Sequence, residues 1–302
     1  MADLVRPTPL IRLHADAPAE IWLKLENLSP IASFKLRGAG NAVRSAAPET
    51  VAGGLWTTSA GNMAQGVAWL ARELGVRATI VVPDHAPQTK LDAIHRLGAT
   101  TIPVPFARWW EAMETGNFEG IRGHFVHPVR DPAVIAGNGT IGIELIEQLG
   151  EIDAVLVPWG GGGLTTGIGS ALAELSPATR VVACEPETAA AVTGAIAAGG
   201  PVEVPYTASF VDGAGAKTVL PDMWEHAAPF LSGAAAVSLA EAAAAVRLLA
   251  ERVRVIAEGA GALAVAAALR GDGGAGRVVC IVSGGNIDAS RLTAILEGRV
   301  PT

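Results

Sequence analysis

The segment Ser33-Phe34-Lys35-Leu36-Arg37-Gly38 sets one lysine among apolar and small neighbours, a short way after the run Ile21-Trp22-Leu23-Lys24-Leu25. A lysine amine withdrawn from water is disfavoured as the ammonium and becomes usable as a nucleophile. Lys35 is therefore a candidate Schiff-base former. Most lysines are solvated surface charges, so the inference needs company. Three stretches supply it: Thr58-Ser59-Ala60-Gly61-Asn62, Gly160-Gly161-Gly162-Gly163-Leu164 and Ser283-Gly284-Gly285-Asn286 look like parts of one cofactor cradle.

The glycine run follows the apolar segment Ala154-Val155-Leu156-Val157 and precedes a helical pattern over 164–173. In that arrangement backbone N–H groups at the positive end of a helix can wrap a phosphate. A flexible turn is the bland alternative, disfavoured because consecutive glycines cost conformational entropy on folding. Neither dinucleotide nor nucleotide-triphosphate fingerprints fit, since Thr166 stands where a third glycine is needed and Ile168 where a lysine would be. A single phosphate monoester is the better match.

From Leu55 onward, apolar strand patterns and helical patterns alternate with short connections, which predicts parallel sheets covered on both faces. Strands are expected over 21–25, 55–57, 78–82, 101–104, 123–126, 154–157, 180–184 and 277–282. Helices are expected over 38–46, 61–74, 88–97, 164–173 and 189–198, from Ser238 with a capping box to Glu241, and after Asn286. The spacing of Gly38 to Ala46 puts Lys35 at a helix entry, where anions are favoured. Residues 8–13 read as an extended arm and 108–123 as partly helical. Pro132 can open a helix, the run Gly137-Asn138-Gly139-Thr140 leads into one carrying Ile141, and 199–230, with four prolines, reads as largely loop.

The chain has 302 residues, half of them apolar and only 17% charged, with a net charge of -7. That charge argues against nucleic acid as a partner. The opening Met1-Ala2-Asp3-Leu4-Val5-Arg6-Pro7 shows no basic-then-apolar leader, and no run of about 20 apolar residues is present, so a cytoplasmic protein without membrane association is expected. Cys184 and Cys280 each sit in an apolar run and read as buried strand residues rather than a disulfide or metal pair.

Together, Ser33 to Ala39, Ser59 to Asn62, Gly160 to Leu164 and Ser283 to Asn286, with Asp131-Pro132-Ala133-Val134-Ile135-Ala136-Gly137-Asn138-Gly139-Thr140, resemble the fold-type II pyridoxal-phosphate enzymes, in the branch of threonine and serine dehydratases and serine racemases. The resemblance covers nearly the whole chain. It implies an α/β protein of two lobes, each an open, twisted, mostly parallel sheet covered by helices, similar to the tryptophan synthase β chain. A large lobe from 1–53 and 132–302 would carry an inserted small lobe, 54–131, with pyridoxal 5'-phosphate between them.

The same resemblance implies that Lys35 holds the cofactor aldehyde and later serves as base at the substrate α-carbon, that Phe34 packs beside the ring, and that Asn62 bonds its phenolic oxygen. Gly160, Gly161, Gly162, Gly163 and Leu164 would hold the phosphate, Ser283 would face the pyridine nitrogen, and Ser59, Ala60, Gly61 and Asn62 would receive the substrate carboxylate. Plainer roles exist: a helix cap for Asn62, a turn residue for Ser283, core for Phe34. A hydroxyl opposite the ring nitrogen leaves the ring neutral and favours prompt loss of a β-leaving group, hence elimination of water from L-threonine or L-serine to a 2-oxo acid and ammonia. A bulkier or acidic hydroxy amino acid, β-replacement on the same fold, and a non-catalytic phosphometabolite-binding protein are the alternatives.

Several positions depart from the pattern. Met63 stands where a histidine is common, Pro30-Ile31-Ala32 where a threonine-glycine pair often precedes the serine, and the stretch Glu258-Gly259-Ala260-Gly261 lacks the proline that usually follows the glutamate. Glu185 is followed six residues on by Ala191 where metal-binding relatives have an aspartate, so no dedicated metal site is expected. Racemases have a serine where Ala60 stands, so elimination without racemisation is expected. With Thr302 the last residue, no appended regulatory domain is expected, and a homodimer or larger homo-oligomer is the family expectation.

Overall fold

The computed structural model describes residues 5–301. The expectations that concern Met1 to Leu4 and Thr302 lie outside the described residues. In chain order, β1 (Leu10–Leu13) and β2 (Ala19–Leu25) lead to α1 (Lys35–Ser45) and α2 (Pro48–Ala52). There follow β3 (Leu55–Thr58), α3 (Asn62–Leu74), β4 (Ala78–Pro83), α4 (Gln88–Arg96), β5 (Thr100–Val104), α5 (Phe106–Thr115), β6 (His124–Phe125) and α6 (Pro132–Leu149). The remainder is β7 (Ala154–Pro158), α7 (Gly163–Leu175), β8 (Arg180–Pro186), α8 (Ala191–Ala198), α9 (Pro221–Ala227), β9 (Leu231–Val237), α10 (Leu239–Leu248), α11 (Gly259–Arg270), β10 (Gly276–Val282) and α12 (Ala289–Leu296).

Two compact units emerge. The first is Ser29–Asn138 with the described residues before Pro7, and it holds a four-stranded, all-parallel sheet in the order β5-β4-β3-β6. Every residue of β3 is buried, as a strand covered on both faces requires. On one face Leu55, Ile80 and Val82 pack with Ala64, Val67, Ala68 and Ala71 of α3. On the other, Trp56, Val81 and Val104 meet Trp109, Phe118 and Phe125.

The small lobe expected over 54–131 lies wholly inside this unit, which also takes in 29–53 and 132–138. The reason is packing. A side chain at Gly66 in α3 would stand 3.4 Å from Ile31 and 3.7 Å from Ala39, so α1 belongs to the same core as α3. The run at 137–139 is likewise no helix start. α6 is continuous from Pro132, because Gly137 gives α1 room: a Cβ there would meet the Arg37 carbonyl at 2.4 Å.

The second unit is Pro7–Leu28 with the described chain from Gly139 onward. Its six-stranded sheet runs β1-β2-β10-β7-β8-β9, parallel throughout except for β1, which pairs antiparallel with β2. Leu23, Leu156, Val182 and Cys280 pack with Ala242, Ala245, Leu263 and Ala267 of α10 and α11 on one face. Trp159, Ala183, Val192 and Ala227 close the other. Both cysteines are buried free thiols, with burial pushing their pKa upward, so they serve as small hydrophobes.

A fully buried lysine anchors the edge of this unit. Lys24 Nζ donates to Glu144 Oε2 (2.5 Å), Gln148 Oε1 (2.8 Å) and the Thr8 carbonyl (2.9 Å), and the Thr8 hydroxyl donates to Glu26 Oε1 (2.6 Å). Sequence reading placed Lys24 in a strand and missed this network. α2, α11 and β9 add to the expected elements, and 199–230, expected as largely loop, contains α9, with Pro221 in its first turn and Asp222 beside it, both helix-start signals. The segment 108–123 contributes α5, which begins two residues earlier and ends at Thr115. The capping box forms as expected: Glu241 N–H donates to Ser238 Oγ at 3.2 Å, and Ser238 N–H to Glu241 Oε2 at 2.8 Å.

Candidate active site

In an open parallel sheet, ligands bind beyond the carboxyl ends of the strands where the strand order reverses, because there the following loops diverge to opposite faces. Each unit has one such point. In the first, successive strands β3, β4 and β5 move in one direction and β6 returns to the far side of β3, with Trp56 opposite Phe125 in register. The loops leaving those two strands are Ser59 to Gly61 and His127 to Asp131. In the second, β7, β8 and β9 progress outward and β10 returns beside β7 with Cys280 opposite Leu156. Three residues beyond that pair stand Ser283, just past the end of β10, and Trp159, just past the end of β7 and directly before Gly160. Thus Ser59, Ala60, Gly61 and Asn62 share one reversal point, and Gly160 to Leu164 with Ser283 share the other.

Within the first unit, Lys35 is half-buried as the first residue of α1. Its amine lies 5.1 Å from the centre of the Phe34 ring and donates to the Pro128 carbonyl at 2.9 Å. Asn62 opens α3 behind Gly61, which is the capping residue, so the cap role does not fall to Asn62. It lies one turn before Gly66 on the same helix face, and Lys35 backbone packs at 3.7 Å from a Cβ placed on Gly66. Lys35 and Asn62 are therefore brought to the same corner. Ser59 Oγ accepts the Gly61 N–H at 3.1 Å, which shapes the loop, and the Thr58 hydroxyl is buried with no hydrogen-bond partner. Met63 is buried in the core with Ile31 and Leu36.

In the second unit two of the four glycines have local reasons. Gly162 has φ 90°, and a Cβ there would meet the Trp159 ring at 2.9 Å; a Cβ on Gly160 would meet the Gly213 carbonyl at 3.0 Å. The case for a phosphate rests instead on what the loop presents. Gly163 begins α7, and the hydroxyl of Thr165, buried in the first helical turn, has no hydrogen-bond partner. Ser283 is buried at the end of β10. The loop after it is clamped: Glu258 N–H donates to the Gly284 carbonyl (3.0 Å), and a Cβ on Gly261 would stand 2.3 Å from that oxygen.

Glu185, the residue expected to be a poor metal ligand, accepts N–H groups from Val192 (3.0 Å) and Thr193 (2.6 Å) at the start of α8. Burial raises its pKa, while the N–H groups oppose the shift. Among the described residues no group of three or more His, Cys, Asp or Glu is placed to hold a metal ion.

Residues 1–284 match the family described as pyridoxal-phosphate dependent enzyme. The chain belongs to that family. It is 41% identical over 308 residues to the biosynthetic L-threonine dehydratase of Mycobacterium leprae, covering 98% of this chain and 72% of the relative. Among solved structures it is similar to processed threonine deaminase isoform 2 from Solanum lycopersicum, with TM-score 0.85 and 30% identity over 98% of this chain and 84% of that one. Maize serine racemase also superposes with TM-score 0.85, at 29% identity over 98% and 93% of the two chains. The family is of fold type II, in agreement with the parallel, helix-covered sheets described above.

The residues present fit such a cofactor. The first unit offers a lysine amine beside an aromatic ring, suited to an aldehyde, and the second a glycine loop opening a helix with an orphan hydroxyl and a buried serine beside that loop, suited to a phosphate and a ring nitrogen. Sequence reading missed His127 and Pro128, which reach the Lys35 corner from β6. A His-Pro pair after a two-residue strand carries no periodic signal that would have singled it out.

Proposed function

We propose that this pyridoxal-phosphate-dependent enzyme is an ammonia-lyase that eliminates water from L-threonine or L-serine, releasing a 2-oxo acid and ammonia. The observation that carries the reading is the Lys35 amine at the head of α1, held on the Pro128 carbonyl beside a strand-order reversal. When bound, the cofactor supplies a conjugated ring that accepts electron density from the substrate α-carbon. The rest falls to the chain. Lys35 would hold the aldehyde of the bound cofactor and would serve as the base that takes the proton from the substrate α-carbon. The turn that Ser59 Oγ shapes at the head of α3 supports Ser59 to Asn62 as the segment that would orient the substrate carboxylate, and Asn62 would also bond the phenolic oxygen.

Gly160 to Leu164 would hold the phosphate, Phe34 would flank the ring, and the Ser283 hydroxyl would face the ring nitrogen without protonating it. Loss of the β-hydroxyl together with the proton taken from the α-carbon, as water, leaves an unsaturated amine, whose hydrolysis yields the 2-oxo acid and ammonia. The two buried free thiols suit a reducing compartment, which supports a cytoplasmic location, and a homodimer or larger homo-oligomer is proposed on the family resemblance alone. The lobe division proposed at 54–131 concerns the same chain and is tested by limited proteolysis at those boundaries.

The test is 2-oxo acid release from L-threonine and L-serine by the purified, cofactor-loaded protein. Turnover that disappears in Lys35→Ala is expected. A protein that binds no pyridoxal phosphate would defeat the reading and favour a phosphometabolite-binding role, while turnover only with an added nucleophile would favour β-replacement.

A further inference from the structure

His127 follows β6 and is not among the residues assigned a role above. Its Nδ1 accepts two backbone N–H groups, from Val129 at 3.0 Å and Arg130 at 2.9 Å. Those bonds have a consequence one peptide away. The Pro128–Val129 peptide is trans, so its carbonyl and its N–H point in opposite directions from one rigid plane. Fixing the Val129 N–H on the imidazole fixes the Pro128 carbonyl on the other side, and that carbonyl is the one that accepts the Lys35 amine at 2.9 Å. Proline at 128 fixes φ, so the plane turns mainly about ψ of Pro128, the torsion that the Val129 bond to the imidazole holds.

Resting on the lyase reading, we propose that His127 is a positioning residue for Lys35: the imidazole, through the Pro128–Val129 peptide, holds the carbonyl on which the lysine amine rests whenever it is not bonded to the cofactor. An amine that must leave one carbon and then act at another needs a fixed place between the two tasks, or its terminal rotamers scatter. The arrangement requires Nδ1 to be an acceptor. The ring must therefore be neutral with its proton on Nε2, and Nε2 is buried without a hydrogen-bond partner, against Phe125 at 5.8 Å between ring centres.

Substitution separates this role from simple packing. In His127→Asn the side-chain oxygen stands the same number of bonds from the backbone as Nδ1 and can accept the same N–H groups. His127→Leu fills space but accepts nothing. The expected result is that His127→Leu loses about tenfold in kcat with KM for threonine changed less than about twofold, and takes up pyridoxal phosphate more slowly in absorbance-monitored reconstitution of the apoprotein, whereas His127→Asn restores both. Equal behaviour of Leu and Asn variants, at wild-type level or equally impaired, would overturn the proposal.

Should His127→Leu fail to fold, the tautomer decides in the unmodified holoenzyme. Nuclear magnetic resonance of isotope-labelled histidine should find His127 protonated on Nε2 alone, and a proton on Nδ1 would overturn it. Failure of the lyase reading looks different: the wild-type protein would neither bind cofactor nor release 2-oxo acid, while the tautomer would still report the peptide geometry.

Discussion

At the scale of single residues, the site is defined as much by side chains that lack a proton as by those that have one. Inverting an α-carbon needs an acid and a base on opposite faces of the planar intermediate, and Lys35 serves one face only. Ala60, half-buried in the loop after β3, has nothing to donate. L-serine left after partial turnover should therefore remain L-serine by chiral chromatography, with D-serine gained only in Ala60→Ser; D-serine from the unmodified protein would contradict the one-sided site. His127 is the complementary case. Burial, then Arg130, lowers its pKa to about 4; Asp131 and Glu114 pull it upward, and Lys35 adds a small downward push. The folded value lies below the ordinary 6.5, so between those limits the unfolded chain takes up a proton that the folded chain refuses, and stability falls as pH drops from about 7 toward about 4. Denaturant midpoints at pH 7 and pH 5 should converge in wild type and His127→Asn as pH falls if this is right. A constant difference between them would not fit.

At the scale of elements, much was legible in the sequence and the omissions have physical causes. The entry of α1 at Lys35, the alternating strands and helices and the Ser238–Glu241 capping box are local signals, and all three are present. α6 was misjudged at Gly137 and Gly139, since a glycine that opens a turn and one that admits a neighbouring helix look alike until the neighbour is known. The departure at Pro30-Ile31-Ala32 takes a definite form: Ala32 has φ 52°, a left-handed conformation that costs an L-residue with a Cβ roughly 1–2 kcal/mol. Ala32→Gly relieves that cost but adds unfolded-state entropy. A net gain of about 0.5–1 kcal/mol is expected from urea unfolding. Loss of stability would show that the alanine methyl packs well enough to repay its conformation.

At the scale of the whole molecule, the sequence carried the inventory of site residues but not the strand orders that unite them. Nothing in the runs 55–58 and 124–125 announces that β6 returns beside β3, or in 154–158 and 276–282 that β10 returns beside β7; those placements depend on long-range pairing. Charge burial was equally hidden, because Lys24 reads as one lysine in a strand and only its partners, more than a hundred residues later at Glu144 and Gln148, make it affordable. Lys24→Met should remove the ammonium from the buried Glu144 pair and cost about 3–5 kcal/mol in urea unfolding, most of it recovered in Lys24→Met with Glu144→Leu. A single variant as stable as wild type would mean that the network is not holding the edge of the sheet. The central claim is that Lys35 carries the cofactor of a lyase. Borohydride reduction of the holoenzyme followed by peptide mass spectrometry tests it most directly: the phosphopyridoxyl group is expected on the peptide containing Lys35, with loss of the visible band and of 2-oxo acid release, and a label on any other lysine, or none, would contradict it.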